Sequence, residues 1–273
     1  MTADRWLYLA LTAGCLVTGL LGIVSWMRPP WVALRGIVAF AGTVTLVLAA
    51  SGWIVRWAAV GHLPLFGTYE SALSLALAVL AIATLMRRAG PVMSGACLVA
   101  AGLLAHGLRF SPDAYALTIS ERSIFVDIHA VFAWAAFGML AANVVLALVE
   151  IAGPWRGLPG AGVWLSRSLH WGFALHSAMM VSGSFYKFLL FGTVWTFDPV
   201  ETLGLVAWLA YGTLLHMHLF AAWDGRRLAG WCIFTFVILL VSYRGIVYFP
   251  AWATYHIFDM DLRMHVTGKE LLK

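Results

Sequence analysis

The chain has 273 residues, 62% of them hydrophobic and only 11% charged, whereas water-soluble domains carry about 25% charged residues; a soluble globular enzyme or binding module is excluded. A formal net charge of +5 would point to nucleic acid on a soluble surface, but here the arginines fall in short connections between apolar runs, so no nucleic-acid role is expected. The partner that this composition demands is a lipid bilayer.

Apolar runs long enough to cross a hydrocarbon core of about 30 Å fall near 5–26, 36–55, 69–86, 90–107, 126–152, 169–191, 201–223 and 229–249. They predict an all-α integral membrane protein of about eight transmembrane helices, one polytopic domain over residues 1–273. Arg28 with Arg35, Arg87 with Arg88, Arg156 with Arg167, and Arg226 with Arg227 place two arginines in every alternate connection. By the positive-inside tendency those connections are cytoplasmic. Both termini and the loops 56–68, 108–125 and 192–200 are then expected to face outward.

The first two helices carry no buried ionisable residue in this reading and serve as scaffold. After Arg56 comes Gly61-His62-Leu63-Pro64-Leu65-Phe66-Gly67-Thr68-Tyr69-Glu70-Ser71, a loop running into a helix start. The polar loop 109–125 leads to His129 at the outer mouth of the fifth helix, and the Gly- and Pro-rich stretch 153–169 reads as a cytoplasmic connector. The sixth helix carries His170, His176 and Lys187, the seventh His216 and His218, the eighth Arg244, and His256 follows on the outer surface. Cys15, Cys97 and Cys232 lie within apolar runs without a C-x-x-C, which excludes a redox dithiol and a covalent c-haem site and leaves a packing role.

Between the sixth and seventh runs stands the least generic stretch, Phe191-Gly192-Thr193-Val194-Trp195-Thr196-Phe197-Asp198-Pro199-Val200-Glu201-Thr202. Its second half reads as a helix start: Asp198 as N-cap, Pro199 at the first helical position, and Glu201 answering the cap. That leaves Phe191, Trp195 and Phe197 unexplained, as interfacial anchors or as a stacking surface.

Nine histidines are many for so few charges, and ionisable groups at membrane depth are functional by default. Counting about 1.5 Å per residue from the outer surface puts His216 and His176 at nearly one depth on adjoining helices, a geometry that can ligate haem iron from both sides. His129 and His256 form a second, outward pair with the aromatic loop between them in sequence. A porphyrin could stack on Trp195 and Phe197, its propionates meeting Arg244, Arg56 or Lys187. The alternative is that these histidines hydrogen-bond neighbouring helices and bind no haem.

The order His129, then Trp195-x-x-Asp198-Pro199-x-Glu201-Thr202, then Trp208-Leu209 and His216, then His256 resembles the tryptophan-rich-loop haem-handling proteins, in particular the CcsA/ResC branch of cytochrome c biogenesis. Gly61-His62-x-Pro64-Leu65 with Tyr69-Glu70-Ser71 is similar to a segment of the same branch, so the likeness covers about residues 56–260. The resemblance implies that the loop, with Trp195 and Asp198, holds non-covalent haem b at the outer face, that His129 and His256 ligate it, and that His216 belongs to a second haem site. It implies as partners a ResB/CcsB-like membrane subunit and an apocytochrome c bearing C-x-x-C-H, and a bacterial or plastid-type inner or cytoplasmic membrane as location. The family pattern has tryptophan where Phe191, Phe197 and Leu203 stand, and lysine where Val200 stands; phenylalanine keeps a stacking face but loses the indole donor. The expected function is cytochrome c maturation by delivering haem across the membrane and presenting it, reduced, for attachment to an apocytochrome, as a haem lyase component. Two readings stay open beside it: a b-type bis-His electron-transfer subunit, and a haem exporter feeding a carrier protein.

Overall fold

Apolar runs leave a chain in lipid one way to satisfy its backbone, the helix, and the described residues are helical with short connections. A computed structural model describes residues 3–27, 32–86, 91–113, 117, 121–152, 161–245 and 248. Among the described residues, eight α-helices run α1 Ala3–Met27, α2 Val32–Val60, α3 Gly67–Leu85, α4 Val92–Gly107, α5 Ile124–Ala152, α6 Ala161–Phe191, α7 Pro199–Phe220 and α8 Gly225–Leu240, the last continuing into a wide π-turn at Val241–Gly245. Among the described residues there is no strand.

By length and apolarity, six helices can cross a membrane: α1, α2, α3, α5, α7 and α8 with its π-turn. The 16 residues of α4 reach about 24 Å at 1.5 Å per residue. The 31 residues of α6 are long enough, but Ser166, Arg167, Ser168, His170, His176, Ser177 and Lys187 lower its apolarity.

The bundle centres on α3 and α4. Residues from Thr68 to Ala83 of α3 are buried on most faces, between α2, α4 and α5; α1 packs along α4, and α5 with α6 forms the longest seam. Close approach of α1 to α4 depends on small residues, the usual device where lipid supplies no hydrophobic drive. A Cβ on Gly22 would stand 2.1 Å from Ser94 Oγ, and one on Gly19 2.6 Å from Leu98 Cδ2. On the far flank, α7 and α8 lean on α5 and α6 and keep wide exposed faces. The start of α1, the end of α4 and the segment beyond α8 meet at one end: Arg5 Nη2 donates to Leu108 O at 3.4 Å, and His106 Nε2 lies 2.7 Å from Tyr248 Oη.

Three boundaries differ from expectation. Residues 161–168, read as connector, are helical in α6 because Leu165 and Leu169 are buried at 2% and 0% exposure. Arg56, read as a loop residue, sits inside α2. The straight part of α8 ends at Leu240, short of the expected 249.

Candidate functional site: the aromatic loop and its histidines

The loop begins where α6 ends, at Gly192 with φ +69°, and Thr193 Oγ1 stands 3.0 Å from Trp195 O. Asp198 then caps α7 as the sequence predicts: Val200 N donates to its Oδ1 at 2.8 Å, with Pro199 in the first turn. Glu201 reaches further back than a capping box. Its Oε2 accepts from Thr196 N at 3.1 Å and from Thr196 Oγ1 at 3.4 Å, while Lys187 Nζ donates to Thr196 Oγ1 and Glu201 Oε1. Polar side chains therefore close the loop from inside.

The ring of Phe197 is left outside, with half-buried Trp195 beside it. Phe197, at φ +59°, is 82% exposed, and Trp195 meets it edge to face at 6.5 Å between centroids. Phe191, Val194 and Phe188 are exposed as well, which gives one apolar surface beside the loop. Asp198 is 4% exposed, so in this conformation its carboxylate serves the helix start.

His129 lies in the second turn of α5 and faces α6. Its Nδ1 is 2.9 Å from Met179 O, and since a carbonyl only accepts, Nδ1 carries the proton. In the neutral ring Nε2 then bears the lone pair, which is the arrangement iron-ligating histidines adopt. Gly183 makes room for the ring: a Cβ there would meet Cε1 and Nδ1 of His129 at 2.7 Å. Its expected partner His256 lies outside the described residues.

The expected pairing of His176 with His216 does not form. His176 is fully buried and its Nε2 donates to Gly204 O at 3.2 Å; Gly204 and His216 are separated by about 18 Å along α7 at 1.5 Å per residue. The register of α6 on α7 shows why: Trp208 Nε1 donates to Ser177 Oγ at 2.8 Å, Phe173 stacks on Trp208 at 5.4 Å, and Ser166 Oγ stands 2.9 Å from His218 Nε2. His216 is thereby level with the region of His170. It projects from the face of α7 formed by Thr202, Val206, Leu209, Thr213 and Phe220, all exposed, and its ring lies 4.6 Å from that of Phe220. The depth count assumed equal overhang of the two helices at the outer surface.

The three expected propionate partners are all committed inside the bundle. Arg56 and Glu70, at 7% and 3% exposure, form a buried ion pair at 2.8 Å, with His62 Nδ1 at 4.0 Å from the other Glu70 oxygen. Arg244, in the π-turn, donates from Nη1 to Ser71 Oγ at 3.0 Å and so faces α3. Lys187 belongs to the loop's own closure. None of these links was read from the sequence; one available hint was a lysine and a glutamate on either side of the 192–198 turn.

The fold and this surface define a polytopic membrane protein that displays aromatic rings at one end of a helix pair and histidines on the helices around it. A family model described as "Cytochrome C assembly protein" matches residues 37–252, and the chain belongs to that family. It is 26% identical over 256 residues to the cytochrome c biogenesis protein CcsA of Parasynechococcus marenigrum (strain WH8102), covering 78% of this chain and 84% of that one. To the CcsA of Synechococcus sp. (strain WH7803) it is 25% identical over 297 residues, covering 90% of this chain and 92% of the relative. Among solved structures, the cytochrome c haem lyase CcmF superposes with a TM-score of 0.62 at 15% identity, over all of this chain and 50% of that one. The chain thus spans half the length of that lyase, and at this identity the likeness is one of fold.

Proposed function

We propose that this cytochrome c assembly protein holds haem b against the Trp195–Phe197 surface at the outer end of α6 and α7, and presents it to an apocytochrome c. The observation that supports the reading is the outward Phe197 ring with half-buried Trp195 beside it, closed from behind by polar side chains; His129, whose Nδ1 is fixed on Met179 O, is the histidine read as the ligand. Those residues fit the group. Stacking needs accessible ring faces, and an axial imidazole needs Nε2 unprotonated with its other nitrogen anchored. His256 would supply the second axial ring.

Haem supplies the vinyl groups to which two thiols of the partner's C-x-x-C-H add. The chain's own residues do the rest. Trp195 and Phe197 would offer the macrocycle a stacking surface, Asp198 and Glu201 hold the backbone that carries them, and His129 would offer Nε2 to the iron. His216, on the exposed face of α7, is available to a ring from a ResB/CcsB-like subunit and belongs to an inner site from which haem is delivered.

The test is a pyridine-haem and reduced-minus-oxidised spectrum of the purified chain, followed by incubation with reduced apocytochrome c and the partner subunit. Covalent attachment of the bound haem to the apocytochrome is the expected result. Haem that binds but stays would make this a b-type electron-transfer subunit, haem that passes unattached to a carrier would make it an exporter, and absence of haem would end the reading.

A further inference from the structure

Lys187 is the one lysine among the described residues, and it sits in the last turns of α6, 7% exposed. An ammonium is placed there at a desolvation cost that only close partners offset. Among the described residues, the partners named here belong to the loop or its frame. Nζ donates to Thr196 Oγ1 and to Glu201 Oε1, and it lies 5.9 Å from the centroid of Phe191. Glu201 in turn receives Thr196 N, so one cation joins the end of α6, the middle of the loop and the first turn of α7.

The loop needs such a tie. Phe197 holds φ +59° and is 82% exposed, a conformation that an L-residue keeps only where its surroundings impose it. The ring itself, facing outward, imposes little. The constraint enters from the two flanking residues, Thr196 through the Lys187–Glu201 pair and Asp198 through its cap on Val200 N. Each ties down one side of Phe197.

We infer that Lys187 is the positioning residue of the aromatic loop: its bonds to Thr196 and Glu201 hold Phe197 and Trp195 in the outward arrangement that receives the haem macrocycle. The role is exercised through the loop, and Lys187 itself touches no ligand. The inference rests on the haem reading above for its consequence, while its structural half stands without haem.

The experiment uses the full chain in detergent or nanodiscs with three variants, Lys187→Met, Thr196→Val and Lys187→Arg. Hydrogen exchange over 192–200 is followed without haem, and haemin affinity and the Soret band are followed with it. Lys187→Met keeps most of the unbranched side chain, one atom shorter, and deletes the charge; it should speed exchange over 192–200 by about tenfold or more, leave exchange in α3 unchanged, weaken haemin binding and shift the Soret band. Thr196→Val, which removes only the loop-side hydroxyl, should change the same segment in the same direction, and Lys187→Arg should remain closer to the parent than Lys187→Met in both readouts. Parent-like exchange in Lys187→Met and Thr196→Val would overturn the inference whatever haemin does. A parent chain that binds no haemin, with exchange still released in the variants, would instead overturn the haem reading and leave the positioning role standing.

Discussion

His129 shows how much a single missing carbon can matter. Its ring lies against Gly183, and Gly183→Ala would bring a Cβ to 2.7 Å from the ring edge. The ring must then leave its bond to Met179 O, or α5 must move from α6. We expect a loss of about 1–3 kcal/mol from overpacking and a changed haem spectrum, measured by thermal unfolding in detergent and by the Soret position; an unchanged spectrum in a folded Gly183→Ala variant would remove His129 from the iron. Glu70 tests a different residue-scale point. Removing one member of a buried ion pair strands the other, at about 3–5 kcal/mol, so Glu70→Gln should lower the melting temperature clearly. The double change Arg56→Met with Glu70→Gln should recover much of the loss, and failure to do so would show that the pair does more than neutralise itself.

At the scale of elements, the seam between α6 and α7 decides which histidines can act together. Ser177 with Trp208 and Phe173 with Trp208 set the register, leaving His176 on the backbone of Gly204 and turning His216 to the outside. His216→Ala should therefore change thermal stability by less than about 0.5 kcal/mol, as surface substitutions do. The same variant should remove one haem signal when the partner subunit is co-expressed. A large stability loss would mean that His216 packs against a neighbour and is not available to a partner. The helix pair also explains which local features were legible in advance. The cap at Asp198 and the position of Pro199 depend on neighbours two or three residues away, and both hold; the answering role of Glu201 depends on Lys187, 14 residues back across the turn, and took a different form.

For the whole molecule, eight helices bring the start of α1 and the residue beyond α8 to one end, as the contacts of Arg5 and Tyr248 record. The arginines predict which end faces outward, and that prediction is directly testable because Cys15, Cys97 and Cys232 are all buried. Val194→Cys should react with a membrane-impermeant maleimide in intact cells, and Arg226→Cys only after permeabilisation. The opposite pattern would reverse the orientation and place the aromatic loop inside. By itself the sequence determined that this chain lives in a bilayer, that about eight apolar helices form, as they do among the described residues, and where its aromatic loop and α7 cap lie. Those properties depend on apolar length and on contacts a few residues apart. Only the tertiary structure decided that Arg56 belongs to Glu70, Lys187 to Glu201 and Thr196, Arg244 to Ser71, and that His176 and His216 stand apart. Each of those outcomes depends on how far one helix slides along another, and sliding is set by packing across the seams, which no stretch of sequence records locally.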